Sequence, residues 1–377
     1  MINFQVGENM NSFELIDSAI ALKSTPRVPV VPFIISFAGR CSGFTQTDIF
    51  FNLYKWQQAL SITFDRIGKC DAVFPLLPSD AANSQMMRVL LPGRNLDVDA
   101  QFQIIEEEVM TRDDYNQIIS NGYNDWYYDY LPRVRADLSN SRFSKIKAIA
   151  GFAKQGIRIR RNVNYWHRRG IPAMFYMGCY PAFDLFSLTR SLEPFSYDLY
   201  ECSEMVEKAC KVATPQIVAM AKNPLRITGG KRVCIFPMRS SASFISPQIF
   251  ERFSLPHLKY MVETFARYNI VSVLHCDGDW TPMLKYLREL PRASCVIELD
   301  NMTDIFKAKE ILGDWLCLKG NVPATLLVNG EPDQVEKYCR HLIKEVAYGG
   351  GFILSSGCEV PLNAKIENVR ALVNSAK

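Results

Sequence analysis

Eight short apolar runs, most of them followed by a helical pattern, set the strongest limit on what this chain can fold into. They are Pro29 to Phe37, Ala72 to Leu77, Ile171 to Met177, Val233 to Met238, Ile270 to His275, Cys295 to Leu299, Trp315 to Lys319 and Gly351 to Ser355. Each is continuous rather than alternating and partly β-branched, the pattern of strands covered on both faces. Helical patterns with start signals separate most of them: Thr45 to Ile67, Ser246 to Tyr268, Pro282 to Leu290, Thr303 to Leu312 and Asp333 to Val346. Thr303-Asp304 reads as an N-cap ahead of Ile305-Phe306. Strand then helix, repeated about eight times, is the arithmetic of an α/β protein with a (βα)8 TIM barrel.

Two stretches stand outside the repeat. Residues 1 to 24 are expected as helical cover ahead of the first strand. Val89 to Met110 alternates around Pro92-Gly93-Arg94-Asn95 and reads as a β-hairpin inserted after the second strand. Asp113 to Gly170 follows, mostly helical and rich in Tyr, Trp and Arg, with Trp126-Tyr127-Tyr128 and Tyr165-Trp166-His167-Arg168-Arg169. About 89–170 is therefore an insertion within a single barrel domain of residues 1–377, either a lid over the mouth or an enlarged structural cap. Its aromatic residues either wall a ligand site or pack the cap.

Composition excludes several classes. With 48% hydrophobic residues the chain has ample core, and 43 Lys and Arg against 39 Asp and Glu give a net charge of +4. No basic run exceeds Arg158-Ile159-Arg160-Arg161, which is not a nucleic-acid signal. Apolar stretches such as Val28 to Phe37 fall short of the roughly 20 residues of a membrane helix. No secretory pattern opens at Met1, so a soluble cytoplasmic protein is expected. The 11 cysteines show no paired spacing and several lie in apolar runs (Cys234, Cys295, Cys317), as expected of reduced thiols.

In a barrel all eight strand ends project into one mouth, where chemistry collects. Two of them, His275-Cys276-Asp277-Gly278 and Ser356-Gly357-Cys358-Glu359, together hold the imidazole, thiolate and oxygen donors that zinc takes in open catalytic sites. The candidate metal ligands are His275, Cys276, Asp277 and Cys358. The competing reading is a hydrogen-bonded imidazole at the rim beside two buried thiols. Arg40 and Arg239, at the ends of the first and fourth strands, are candidates to clamp an anion or a developing oxyanion, or else to form structural ion pairs.

The same residues resemble a known family. His275-Cys276-Asp277-Gly278, Glu298-Leu299-Asp300, Lys319-Gly320-Asn321-Val322-Pro323 and Gly350 to Pro361, followed by Asn363-Ala364-Lys365, resemble the uroporphyrinogen decarboxylase superfamily. Within it the chain looks most like corrinoid-dependent methyltransferases, particularly the methyl-transferring component of anaerobic O-demethylase systems. The likeness runs from about Arg27 to Asn374 and is strongest from Ile270 onwards.

The resemblance implies a barrel, a zinc site and a corrinoid partner, and it lets decarboxylation be weighed. Decarboxylases of the family carry an Arg-Gln-Ala-Gly-Arg loop after the first strand, where this chain has Ser36-Phe37-Ala38-Gly39-Arg40 and one arginine fewer. Their catalytic aspartate is not evident, because Phe74 to Pro78 is apolar. The thiol-methylating branch carries His-x-Cys plus a distant Cys. Here His275 and Cys358 match, and the middle ligand is either Asp277 or Cys276. Losing a thiolate makes zinc harder and more Lewis-acidic, which suits an oxygen-bearing substrate.

The expected reaction is then demethylation of a methylated oxygen compound, an aryl methyl ether, with transfer to Co(I) of a separate corrinoid protein. Zinc would activate the substrate oxygen, and Arg40, Arg239 or Glu359 would assist. No Asp-x-His-x-x-Gly corrinoid-ligating motif is present, so corrinoid is expected on a partner. The expected partners are that protein and a small-molecule methyl donor, neither nucleic acid nor membrane, with a homodimer allowed. The alternatives are methyl transfer from corrinoid to a thiol, a uroporphyrinogen-type decarboxylase and a non-catalytic barrel relative.

Overall fold

The computed structural model describes residues 10–83, 86–139 and 143–376. Its central feature is a parallel sheet of six strands in sequential order: β3 (Gly178–Cys179), β4 (Arg232–Ile235), β5 (Val271–Cys276), β6 (Cys295–Leu299), β7 (Cys317–Val322) and β8 (Phe352–Ser356). Every crossover from β3 to β8 carries helix, which a parallel sheet requires. The strands β5 to β8 lie almost wholly out of solvent, as their continuous apolar runs demand.

The first two apolar runs behave differently. They contribute isolated bridges, Val30 to Leu354, Phe33 to Glu359 and Val73 to Ala173, in place of ladders. Single backbone bonds carry the ring round: Val31 N to Leu354 O (2.8 Å), Asp71 N to Val30 O (2.8 Å), Val73 N to Pro172 O (3.0 Å) and Tyr176 N to Arg232 O (3.0 Å). The cause is proline. Pro29 and Pro32 sit inside the first run and Pro75 inside the second, with Pro172 at the start of the third run that the second one faces, and none of them has an N–H to donate to a ladder. The fold is a barrel-like α/β fold with a regular six-stranded wall and a proline-interrupted seam. Asp71 reinforces that seam, accepting from Arg27 Nη1 and Nη2 (2.7 and 2.6 Å) and from Val30 N (2.9 Å).

Two layers of core follow from the alternation of strand side chains. Val31, Ala72, Met174, Cys234, Val273, Val296, Cys317 and Ile353 fill the barrel interior, closed below by Ile16, Ala19 and Ile20 of the helix Ser12–Ile20. That helix is the expected cover. It is started by a capping box of Asn11 and Glu14. The larger outer cluster lies between strands and helices and includes the aromatic core of the insertion.

The insertion is a hairpin, β1 (Arg88–Leu90) antiparallel to β2 (Gln103–Ile105), followed by helices Arg112–Asn121, Tyr123–Val134 and Ser144–His167. Its longest helix is pinned beside the second apolar run. Arg158 Nε donates to Asp80 Oδ2 (2.8 Å), Asn162 Nδ2 to Pro75 O (2.6 Å) and Gln57 Nε2 to Asn162 Oδ1 (3.0 Å). The helix leads directly into the third run at Ile171, and its contacts with Asp80 and Pro75 set its second half against the outside of the barrel beside the second run. Other expected helices break where local chemistry demands: Thr45 to Ile67 divides at Asn52, whose side chain caps Leu53–Ile67, and Ser246 to Tyr268 contains a π-helical turn at Phe250–Ser254.

One half-buried imidazole ties stability to acidity. His257 Nδ1 lies 2.9 Å from Thr214 Oγ1 between the helices Ser203–Thr228 and Leu255–Arg267, and burial lowers its pKa from 6.5 to about 4 despite Glu207. The folded protein holds it neutral while the unfolded chain protonates it. Its contribution is therefore complete above pH 6.5 and is lost as pH falls towards 4, by about 3 kcal/mol in all. His257→Gln is expected to flatten the fall in melting temperature between pH 7 and 4.5. An unchanged profile would remove His257 from the acid limb.

Candidate metal centre

Strand alternation decides which residues of His275-Cys276-Asp277 meet. His275 and Cys276 are consecutive on β5, so their side chains leave opposite faces. Cys276 points into the helix layer, is 1% exposed, and its thiol pKa is driven well up by burial. His275 points into the mouth. Beyond the strand the chain turns at Gly278 (φ +82°), where a side chain would meet the hydroxyls of Ser241 and Ser243. Gly278 N donates to Asp300 Oδ2 (2.7 Å) and Trp280 Nε1 to Asp277 O (3.1 Å), which returns the Asp277 carboxylate to the His275 side.

The third member comes from beyond β8. Gly357 N donates to Val322 O (2.9 Å) and Val360 N to Phe33 O (2.7 Å), so the Cys358 turn is stitched to both neighbouring segments. His275 Nε2 then lies 3.4 Å from Asp277 Oδ1 and 3.9 Å from Cys358 Sγ. One donor atom from each of the three lies within 4.8 Å of the others. Donors bonded tetrahedrally to zinc at its usual bond lengths stand roughly 3.3–3.7 Å apart, so this nitrogen, oxygen and sulfur set fits one such ion with a coordination position left over. Among the described residues it is the one such donor cluster.

Behind His275 lies a charged chain that the sequence reading assigned no role. Glu298 Oε1 is 3.5 Å from His275 Nδ1 and 2.6 Å from Lys319 Nζ, and Lys319 donates to Ser355 Oγ (2.9 Å), which donates to Val31 O (2.8 Å). Lys319 and Glu298 are 0% and 1% exposed. Burial alone would raise the Glu298 carboxyl, but Lys319, and after it His275, hold it at about 2. Burial opposes a charge on His275, yet Asp277, Cys358 and Glu298 together raise its pKa. A Glu and a Lys inside adjacent apolar runs were the available signal: β6 and β7 pair Glu298 with Lys319 in register.

The walls are aromatic and come from strand ends. Phe33 and Phe236 stand edge-on to the His275 ring at 5.6 and 5.7 Å, Phe74 packs on Phe33 at 4.3 Å, and Tyr180 on Phe236 at 5.4 Å. The aromatics of the insertion pack the cap instead: Trp126, Tyr130 and Trp166 are buried, with Trp126 Nε1 on Asp114 Oδ1 (2.9 Å) and Tyr130 OH on Met86 O (2.8 Å).

The three residues expected to assist catalysis are all engaged in holding loops. Arg40, exposed on the helix Ser36–Ser42, donates to Leu362 O (3.1 Å) and Ala364 O (3.0 Å). Arg239 pairs with Glu106 Oε2 (2.6 Å), tying the hairpin to the end of β4. Its backbone N–H donates to Asp184 (2.7 Å), which burial pushes up to about 7. Glu359 accepts from Ser36 N (2.8 Å), and burial raises its pKa. Arg40→Ala is accordingly expected to loosen the Cys358 loop by about 1 kcal/mol while metal content stays at one per chain. Loss of metal would show that the guanidinium acts on the site itself.

With the site in view, comparison with known proteins adds the lineage. The sequence profile of the family described as Uroporphyrinogen decarboxylase (URO-D) matches residues 182–377, more than half of the chain and inclusive of all three donors. The chain belongs to the URO-D family. Its curated URO-D relatives include the uroporphyrinogen decarboxylase of Coxiella burnetii (27% identical, over 35% of this chain and 37% of that one). They also include the methylcobamide:CoM methyltransferases MtaA of Methanosarcina barkeri (28%, over 45% and 48%) and MtbA of Methanosarcina acetivorans (24%, over 51% and 55%). The chain thus spans about half, or less, of the length of these curated relatives. A solved structure of a methyltransferase from Methanosarcina mazei shares the fold across 97% of this chain and 98% of its own, with a TM-score of 0.69 at 17% identity. Among the described residues, no helix is long and apolar enough to cross a membrane.

Proposed function

We propose that this chain is a methyltransferase that takes the methyl group of a methylated oxygen compound, an aryl methyl ether, and passes it to the Co(I) corrinoid of a separate protein. The observation that carries the reading is the position of Asp277, which replaces a thiolate in the donor set of His275 and Cys358. When bound there, zinc supplies Lewis acidity towards oxygen, and more of it than with two thiolates. The protein's own groups do the rest. Glu298 Oε1, 3.5 Å from His275 Nδ1, is the carboxylate placed to orient the imidazole with Nε2 towards the mouth, as carboxylates do for metal-bound imidazoles. Phe33, Phe74 and Phe236 give a planar ring an apolar place to lie and exclude water from the methyl carbon. Glu359, next in sequence to Cys358 and raised by burial, is the carboxyl suited to hold a proton for the departing oxygen.

Decarboxylation of a polycarboxylate is poorly served, because Arg40 and Arg239 are committed to Leu362, Ala364 and Glu106. A second reading, methyl transfer from a corrinoid to a thiol, is favoured by the printed activity of the two Methanosarcina relatives. One experiment separates the two. The zinc-analysed protein is supplied with cob(I)alamin and a panel of methoxylated aromatics, and in parallel with methylcobalamin and 2-mercaptoethanesulfonate or other thiols. At least tenfold faster formation of methylcobalamin in the first arm is expected. Faster thioether formation in the second would replace this reading by the thiol one.

A further inference from the structure

We infer that Asp184 is a positioning residue for Asp277, which it reaches through the loop after β4 and through the π-helical turn Phe250–Ser254. The inference rests on the reading of Asp277 as a metal ligand in the methyl-transfer site. It starts from a buried polar trio that the methyl-transfer chemistry does not use. Asp184, near the start of the helix Ala182–Arg190, is 0% exposed, and so are Ser240 and Ser254. Its carboxylate accepts from Arg239 N (2.7 Å) and from Ser240 Oγ (2.9 Å), and Ser240 Oγ lies 2.6 Å from Ser254 Oγ. Among the described residues no Lys or Arg side chain pairs with Asp184. A carboxyl buried without a cation is costly. Apolar side chains of the same shape would serve packing about as well, so the use of the trio lies in what it holds.

Two lines of contact run from the trio to Asp277. In the first, Asp184 fixes Arg239 and Ser240, and the same loop then grips the turn after β5: Ala242 N donates to Asp279 O (2.8 Å) and Asp279 N to Ser243 Oγ (3.0 Å). The approach is close. A side chain at Gly278 would come within 2.7 Å of the hydroxyls of both Ser241 and Ser243, so loop and turn meet only because that position is glycine. In the second line, Ser254 ends the π-helical turn, and Phe250 at its start stands edge-on to Trp280 at 5.7 Å. Trp280 Nε1 in turn donates to Asp277 O (3.1 Å). Turns of this kind inside α-helices collect at functional sites. Asp277 needs such support because β5 pairs with β6 only as far as Cys276, so no strand ladder aims its carboxylate. His275 is aimed by the strand itself, and the Cys358 turn by its bonds to Val322 and Phe33. The influence of Asp184 therefore falls on one ligand of the three.

The test uses Co(II) as the probe, because its visible spectrum changes with the ligands that hold it, and compares the full chain with Asp184→Ala, Asp184→Asn and Asp277→Ala. In Asp184→Ala the affinity for Co(II) is expected to fall roughly 10–100-fold and the spectrum to take the form seen in Asp277→Ala. Asp184→Asn, whose amide oxygen can still accept from Arg239 N, is expected to restore both. Ser243→Ala breaks the bond to Asp279 and leaves the trio intact, so it should shift the spectrum the same way even if Asp184→Ala does not fold. Ser12→Ala is the control for stability alone, since it removes a buried hydrogen bond to Asp71 (3.0 Å) beneath the barrel and should change neither reading. In the metal-free proteins, amide exchange at Ala242 and Asp279 is expected to run about tenfold faster in Asp184→Ala, with Gly357 and Val360 beside Cys358 unchanged. Parental Co(II) affinity and spectrum in folded Asp184→Ala overturn the role, and so does equal exchange in all proteins. The same losses in Ser12→Ala would reduce the effect to general stability and overturn it too. If the unaltered chain binds no Co(II), the metal-centre reading falls, and amide exchange alone decides whether Asp184 holds the Asp277 turn.

Discussion

Replacing Cys358 by alanine is expected to leave a folded protein that holds no more than a trace of zinc and has lost nearly all methyl transfer. Cys358 is one of the three donors brought together among the described residues, and its turn is held by backbone bonds to Val322 and Phe33 that do not involve the thiol. The fold should therefore survive the change. Loss of an outer partner of a metal site costs roughly 10–100-fold, so loss of a direct donor should exceed that, on the order of 10³-fold in rate, with metal falling from one per chain to a trace. Cys276→Ala is the matched control, because that thiol faces the helix layer: full metal and full rate are expected. Stoichiometric zinc and full turnover in Cys358→Ala would end the metal-site proposal. Loss of metal in Cys276→Ala would mean that β5 presents its other face to the mouth.

The second large effect concerns a charge with no access to solvent. Lys319→Met removes the cation that holds Glu298 ionised, leaving a buried carboxylate beside His275. Breaking a buried pair from one side costs about 3–5 kcal/mol. In a chain of this size the midpoint of thermal unfolding should fall by roughly 4–6 °C. Removing both charges in Lys319→Met/Glu298→Gln should restore part of the loss, because no uncompensated ion remains. The double variant should still bind zinc about 10–100-fold more weakly, since the imidazole loses its carboxylate partner. A single variant as stable as the parent would show that the pair is not closed to water. A double variant with parental zinc affinity would remove Glu298 from the orientation of His275.

These two expectations draw on different kinds of legibility. His275 and Cys358 stand out in the sequence because each ends an apolar run, and strand ends are where barrels place chemistry. The choice between Asp277 and Cys276 was not readable there, because it depends on which residue of β5 is the last to obey the pleat and on the turn at Gly278 held by Asp300. Arg40, Arg239 and Glu359 also stand at strand ends, but position alone does not reveal partners. Each is occupied by a carbonyl, a carboxylate or a backbone N–H contributed from far along the chain. The irregularity of the first two barrel segments was written in Pro29, Pro32 and Pro75, whose missing donors outweigh the apolar pattern around them.

By itself, then, the sequence determined the α/β repeat, the order of its elements, the hairpin and helical insertion, and the residue types available at the mouth. Those features depend on local periodicity and on which backbone groups can pair, and both are properties of neighbours in the chain. Only the tertiary structure decided that Asp277 joins His275 and Cys358, that Lys319 and Glu298 stand behind them, and that phenylalanines rather than arginines line the walls. Those facts depend on register between strands and on the direction each side chain leaves the backbone. A rotation of one residue along β5 would have put a thiol where the carboxylate now stands.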